Sequence, residues 1–170
     1  MSKPHPNVAR DIEPSALRDN AGTLRLWRRQ LGRAAGGREL GCSEIELLPG
    51  QASWPLHYHE GNEEAIYMLA GEATLRIGDA RVPLRAGDYA ALPTGAAHAH
   101  QMVNEGASAA RYLCISTMNA LDIGVYPELG SFYAGAGAAP GGDKSQRTFF
   151  GFFDRSATVE YWTGEPDKQD

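Results

Sequence analysis

The sequence predicts an all-β fold, arranged as an antiparallel sandwich or barrel in a single domain. Its 170 residues fall within the roughly 100–200 residues of one domain. Between residues 53 and 116, short apolar runs are interrupted by turn residues about every 8–12 positions, which is typical of antiparallel sandwiches and barrels. The 20 glycines and 10 prolines exceed the average share of these residues and suit frequent turns.

The N-terminal part changes character after an irregular start. Residues 1–22 are polar and aperiodic, so we interpret them as an N-terminal arm. The run TLRLWRRQ then alternates, which predicts a strand with Leu24, Leu26 and Arg28 on one face. We interpret its arginine-rich face as a solvated or intersubunit surface rather than a phosphate site. A second alternating run, SEIELL, stops at Pro49.

The middle of the chain supplies the predicted strands of the barrel, which we assign to residues 23–128. The predicted strands are AIYML, EATLRI, RVPL, DYAAL, HAHQMV and ARYLCIS. The Gly78-Asp79 pair between the second and third of these runs predicts a tight hairpin turn. No helical pattern of about ten or more residues interrupts this series.

Residues 129–170 are predicted to form a loop and C-terminal strands that pack on the barrel or on a dimer partner. The segment GSFYAGAGAAPGGDKSQ is rich in glycine and alanine, and we interpret it as a flexible loop. The runs TFFGFF and ATVEYW that follow it are both predicted strands.

A surplus of aromatic residues near the C-terminus favours a homodimer. A small barrel's interior is already filled, so these rings must cover an outer sheet face or an edge strand. Coverage within one chain is the alternative to a two-fold dimer. The aromatic residues concerned are Phe132, Tyr133, Phe149, Phe150, Phe152, Phe153, Tyr161 and Trp162.

Charge and hydropathy exclude several classes of partner. A net charge of −5 argues against non-specific binding of nucleic acid or of anionic membranes, because both need a positive field. No run approaches the ~20 apolar residues of a membrane helix. The opening residues lack the apolar core of a secretion signal, so we expect a cytoplasmic protein in which Cys42 and Cys114 are reduced thiols.

Four of the five histidines form two His-x-His pairs, which predict a metal site. His57 and His59 make the first pair, and His98 and His100 make the second. Residues two apart on a strand point the same way, so each pair presents two imidazoles to one face. With Glu64 nearby, the set suits one divalent Fe, Mn, Zn or Ni ion. The alternative is that these are ordinary polar residues of surface strands.

The first His-x-His pair lies in a segment that resembles the first motif of the cupin family. That motif reads Gly-x5-His-x-His-x3/4-Glu-x6-Gly, and Gly50, His57, His59, Glu64 and Gly71 occupy its positions in residues 50–71. Six residues rather than five separate Gly50 from His57, which implies a small insertion before the ligand strand.

Residues 87–104 resemble the second cupin motif, Gly-x5-Pro-x-Gly-x2-His-x3-Asn. Gly87, Pro93, Gly95 and His98 match it. The final asparagine position holds Met102, and an asparagine follows only at position 104. The resemblance implies an antiparallel double-stranded β-helix, the jelly-roll barrel, with extra N- and C-terminal strands.

Carried over residue by residue, the resemblance implies that His57, His59, Glu64 and His98 are the metal ligands. Glu63 is the rival of Glu64, but only Glu64 has the motif's spacing to the following glycine. His100 falls outside the motif. We treat it as a candidate base or pocket wall beside the ligands, and a neutral histidine bonded to a neighbouring side chain is the alternative.

Two classes of function are compatible with this site. A metalloenzyme would coordinate a small polar metabolite at two open metal positions, for dioxygenase chemistry with iron or for isomerase or lyase chemistry with manganese or zinc. Cupins include proteins described as sugar-phosphate isomerases, but the sequence shows no cluster of basic residues that must converge on the site. The alternative is a small-molecule binding or sensor protein without catalysis.

Overall fold

The computed structural model describes residues 5–161 and 163–164, and within these ranges the chain is almost entirely β, as predicted. One α-helix, α1 (Leu31–Ala34), and three short 3-10 helices interrupt the strands. Among the residues described, no helix combines the length and the apolar character that crossing a bilayer would take. The strands in chain order are β1 (Ser15–Arg18), β2 (Leu24–Gln30), β3 (Leu40–Leu47), β4 (Tyr58–His59), β5 (Glu64–Ala70), β6 (Glu72–Ile77), β7 (Ala80–Arg85), β8 (Tyr89–Leu92), β9 (His100–Val103), β10 (Ala110–Thr117), β11 (Asp122–Tyr126), β12 (Ser131–Ala136) and β13 (Phe149–Asp154).

The strands form three antiparallel sheets. The largest has the order β1-β2-β3-β10-β5-β8, and the other two have the orders β13-β12-β11-β4 and β7-β6-β9. Consecutive strands β6 and β7 form the predicted hairpin, in which Ile77 pairs with Ala80 around the Gly78-Asp79 turn. The two smaller sheets supply the residues that face the six-stranded sheet. This arrangement is a jelly-roll barrel.

The apolar core lies between the six-stranded sheet and the three-stranded sheet. Burying these side chains from water is the main source of the barrel's stability. The core side chains are Leu26, Ile45, Leu47, Ile66, Met68, Ala73, Leu75, Leu84, Leu92, Met102, Ala110 and Tyr112.

The inner face of the six-stranded sheet changes from apolar to polar along its strands. Ser43 on β3 pairs with Cys114 on β10, and Cys114 pairs with Ile66 on β5. Glu64 lies two residues before Ile66 on β5 and therefore on the same face. Directly paired residues share a face, so these polar groups point into the barrel beside the apolar core. They form one wall of the cavity described below.

Three sequence interpretations of the terminal regions need correction. The N-terminal arm contains β1, whose backbone pairs with β2. The glycine-rich segment read as a loop contains β12, where Gly135 lies against the Phe150 ring and small residues make room for the aromatic strand β13. The predicted strand ATVEYW is absent from residues 157–161, and Trp162 lies outside the described residues.

The aromatic edge strand β13 leaves a patch that we propose as the contact of a homodimer. Phe150 and Phe152 turn toward the cavity, whereas Phe149 and Phe153 stack on the opposite face with ring centroids 5.9 Å apart. The Phe149 side chain is 52% exposed. We expect sedimentation equilibrium of the wild-type chain at micromolar concentration to give twice the 18.3 kDa chain mass.

The dimer proposal is tested by placing a charge in this patch. Phe149→Glu should yield the mass of one chain, because an unpaired carboxylate in an apolar interface is costly. Tyr89→Glu is the matched control, since Tyr89 is a 63% exposed aromatic on β8, an edge strand of another sheet. A wild-type mass of one chain would rule the dimer out.

Candidate metal centre

Two histidines of the centre are held opposite each other by backbone pairing. His57 and His100 form an antiparallel bridge in which each backbone N–H donates to the other residue's carbonyl, at 3.1 and 2.8 Å. Paired residues share a face, and the two imidazole centroids lie 4.7 Å apart. His59 follows two residues after His57, and their ring centroids lie 5.2 Å apart. Three imidazoles therefore cluster on one wall.

Glu64 reaches the histidines from the opposite sheet. It is the first residue of β5, and its Oε2 lies 3.0 Å from His100 Nε2 and 3.7 Å from His59 Nε2. Potential ligand atoms of His57, His59 and Glu64 all lie within 4.8 Å of one another. Strands β4, β5 and β9, one from each of the three sheets, thus bring nitrogen and oxygen donors together.

Nδ1 of each imidazole contacts an oxygen atom, whereas Nε2 faces the other candidate ligands, and Nε2 of His100 contacts Glu64 Oε2 at 3.0 Å. Nδ1 of His57 contacts the Pro55 carbonyl at 2.8 Å, and Nδ1 of His100 contacts the His98 carbonyl at 2.9 Å. Nδ1 of His59 contacts Asp122 Oδ2 at 2.6 Å. For His57 and His59, the oxygen acceptor at Nδ1 selects the tautomer in which Nε2 carries the lone pair. Three Nε2 atoms and a carboxylate are a donor set that fits a divalent metal.

Burial and neighbouring charges prepare these groups to bind a cation. Burial lowers the pKa of His57 to about 4, with His100 adding a like charge, so His57 is neutral near pH 7. Burial alone would raise the pKa of Glu64, but the hydrogen bond from His100 and the charge of His59 lower it to about 2. The centre therefore offers an ionised carboxylate beside a neutral imidazole.

Asp122 and Tyr133 hold His59 in place, and sequence reasoning missed both. The Tyr133 hydroxyl donates to Asp122 Oδ2 and lies 3.1 Å from His59 Nδ1. Asp122 also accepts the Gly61 backbone N–H at 2.9 Å. The Tyr133 ring lies over β11 where Gly124 has no side chain, because a Cβ there would overlap the ring. Neither residue belongs to a motif, so no sequence pattern marked them.

The structure brings His100, rather than His98, to the other three ligand candidates. His98 ends the short 3-10 helix Ala96–His98, is half-buried, and does not line the cavity. His100 is buried at the start of β9. Strand alternation therefore does not apply to this pair, since His98 is not in a strand. His57, His59 and Glu64 lie together as expected.

A signal for His100 was present in the second motif. Counting from His100, the three-residue spacing reaches Asn104, so a two-residue insertion after Gly95 places both residues in register. Asn104 is fully buried and its Nδ2 donates to the carbonyls of Leu47 and Ser108, both at 2.8 Å. With this insertion, the mismatch at Met102 disappears and the histidine of the motif falls on His100 instead of His98.

The candidate ligands line a cavity of about 670 Å³. Its inner wall includes all three clustered histidines and Glu64, and its outer part includes exposed residues such as Arg33 and Arg38. The cavity therefore connects the buried donors with the surface. This volume is within the range of small-molecule sites.

The sequence is similar to one domain family and to one curated enzyme. Residues 43–116 match the family model of the cupin domain. Quercetin 2,3-dioxygenase of Bacillus subtilis strain 168 is 35% identical over 100 residues, which make up 56% of this chain and 30% of that enzyme. The chain thus spans less than a third of the length of this curated relative.

Comparisons of structure cover more of the chain. A crystal structure from Acidithiobacillus ferrooxidans, provisionally named a sugar phosphate isomerase, matches with a TM-score of 0.71 and 26% identity over 89% of each chain. A sugar phosphate isomerase of the cupin superfamily from Silicibacter pomeroyi matches with a TM-score of 0.72 and 24% identity, over 87% of this chain and 91% of that one. The second likeness shows the fold alone.

Proposed function

The chain belongs to the cupin superfamily, and from this premise we propose that it is a metalloenzyme acting on a small polar metabolite. The observation that carries the proposal is that the ligand atoms of His57, His59 and Glu64 lie within 4.8 Å of one another, with His100 Nε2 3.0 Å from the Glu64 carboxylate, at the inner end of an open cavity. We infer that His57, His59, Glu64 and His100 hold one divalent ion.

Four protein donors leave two positions of an octahedral ion for a substrate with two oxygen donors. A bound divalent metal would supply Lewis acidity for isomerase or lyase chemistry or, as iron, the redox capacity for dioxygenation. The protein's part is to orient the substrate in the cavity and to keep the four donors in place.

The side chains beside the donors suit substrate positioning. The Tyr126 ring stacks on His57 with centroids 5.8 Å apart, and burial raises the pKa of its hydroxyl to about 12. Tyr126 therefore stays protonated and can donate a hydrogen bond to a substrate oxygen. Burial also raises the pKa of the Cys114 thiol, so this cavity residue is a poor nucleophile. This environment favours chemistry that depends on the metal.

Isomerase or lyase chemistry is the first candidate, since the relative provisionally named a sugar phosphate isomerase matches over 89% of this chain. Dioxygenation is the second candidate, because quercetin 2,3-dioxygenase is 35% identical over 56% of the chain. A binding or sensor protein without catalysis is the alternative to both.

Metal analysis and two activity screens test this proposal. Protein purified without chelators should contain about one divalent metal per chain by mass spectrometry. The metal-loaded protein should then either convert a member of an anaerobic panel of sugar phosphates and hydroxy acids or consume oxygen with flavonols and catechols. His59→Ala should abolish the activity. A metal-loaded protein that is silent in both screens would favour the binding protein.

A further inference from the structure

The cavity carries more positive side chains than the acidic chain as a whole would suggest. The chain has a net charge of −5, yet four arginines and only two carboxylates line the cavity. One carboxylate is Glu64, and the other, Asp143, accepts hydrogen bonds from the Ser145 backbone N–H and hydroxyl. The four arginines are Arg28, Arg33, Arg38 and Arg147.

Arg28 is a half-buried cation without a carboxylate partner among the described residues. Its Nε donates to Ser43 Oγ at 3.0 Å, and its guanidinium carbon lies 5.9 Å from the centroid of the Trp54 ring. Its neighbour Arg29 lies on the other face of β2 and pairs with Glu44 at 3.1 Å. Burial lowers the pKa of Arg28, because the loss of solvation outweighs the favourable charge of the more distant Glu64.

Arg147 contributes a second guanidinium to the cavity from a different part of the chain. It follows the 3-10 helix Lys144–Gln146, and its guanidinium carbon lies 4.1 Å from the centroid of the Phe150 ring. Its Nε is buried and has no hydrogen-bond partner among the described residues. Two arginines from separate elements thus offer donors to the same cavity.

We propose that Arg28 and Arg147 form an anion subsite that binds the phosphate or carboxylate group of a metabolite whose other end reaches the metal centre. This inference deepens the proposed function and rests on it for the role of the metal. A guanidinium binds oxyanions through paired N–H donors, and such charge-assisted bonds are strong where water is limited. The exposed Arg33 and Arg38 would attract the anion toward the cavity.

The strand register sets the separation between the anion subsite and the metal centre. Arg28 contacts Ser43 on β3, Ser43 pairs with Cys114 on β10, and Cys114 Sγ lies 3.9 Å from Glu64 Oε1 on β5. Two strand spacings separate β3 from β5, which is roughly 10 Å. This span suits a small phosphorylated or carboxylated metabolite.

A glycine in the loop after β12 leaves room for the Arg28 guanidinium. Gly141 has a φ of +81°, and a Cβ there would lie 2.9 Å from Arg28 Nη2. Gln30 Nε2 donates to the Gly141 carbonyl at 3.1 Å, which ties this loop to β2. The loop thus closes over Arg28 without supplying an acidic partner.

The subsite is tested by calorimetric titration of the chelator-treated, metal-free protein. Inorganic phosphate is used in one titration and acetate in another. At least one anion should bind, and Arg28→Gln and Arg147→Gln should each weaken it by roughly 10- to 100-fold. Tighter phosphate binding would indicate a phosphorylated metabolite, and tighter acetate binding a carboxylate. Arg28→Lys, which keeps the charge, should retain part of the affinity and so separate charge from packing.

Arg29→Gln is the matched control, since Arg29 lies on the outer face of the same strand, and it should leave anion binding unchanged. Failure of both anions to bind, or equal binding by the wild-type chain and both cavity variants, would overturn the subsite.

A separate metal titration distinguishes failure of the anion subsite from failure of the proposed metalloenzyme. Metal binding without anion binding would remove only the subsite, and anion binding without metal binding would remove only the proposed metalloenzyme.

Discussion

Replacing His100 with alanine is expected to remove most of the bound divalent metal, whereas replacing His98 with alanine should leave the metal content unchanged. His100 Nε2 lies 3.0 Å from Glu64 Oε2, with its other nitrogen held by a carbonyl. His98 supports this arrangement only through its backbone carbonyl, which alanine retains. The loss should exceed the roughly 10- to 100-fold in affinity that an outer partner of a ligand contributes.

This pair of variants is checked by the metal content per chain. Each variant is dialysed against the metal and then against buffer, and the remaining metal is measured by mass spectrometry. Circular dichroism melting should show that both remain folded, because neither histidine belongs to the apolar core cluster. Metal loss in His98→Ala together with retention in His100→Ala would restore the assignment that follows the motif spacing from Gly95.

Replacing Asp122 with asparagine should lower the metal affinity by roughly 10- to 100-fold. Asp122 Oδ2 lies 2.6 Å from His59 Nδ1 and holds the tautomer that presents Nε2 to the metal. An amide can accept the same hydrogen bond but carries no charge, so the imidazole becomes a weaker ligand and less well oriented. Asp143→Asn is the matched control and should leave the affinity unchanged, because Asp143 lines the cavity but bonds to Ser145 rather than to a histidine.

The pH dependence of metal binding separates this positioning role from a general loss of structure. Burial would lower the pKa of His59, but the hydrogen bond that its Nδ1–H donates to Asp122 and the charge of Glu64 raise it above its usual value. A proton therefore competes with the metal for Nε2, and the affinity falls as the pH drops through that raised pKa. In Asp122→Asn the midpoint should move to lower pH. An unchanged affinity and midpoint would contradict the role.

Much of the fold followed from local patterns. Alternation in TLRLWRRQ and SEIELL predicted β2 and β3, and the Gly78-Asp79 pair predicted the hairpin between β6 and β7. The pattern failed for β12, whose small residues carry little strand preference by themselves. That strand forms because β11 and β13 pair with it on both sides.

The same contrast holds within the candidate metal centre. The His-x-His pair and the spacing to Glu64 identified three of the four converging residues from the sequence. His98 and His100 could not be separated by strand alternation, since a 3-10 helix ends at His98 and the strand begins at His100. The departure of the second motif at Met102 carried the missing information.

The sequence by itself predicted the resemblance to cupins, the all-β class and three of the converging side chains, because short-range spacing controls strand alternation and turns. Only the tertiary structure decided that Asp122, 63 residues from His59 along the chain, orients that imidazole. It also decided that Arg28 faces the cavity with no carboxylate partner among the described residues, while Arg29 pairs with Glu44 on the other face. Both outcomes depend on which strands lie side by side and which sheets face each other. Those pairings join distant segments through burial of the whole core, and no local pattern encodes them.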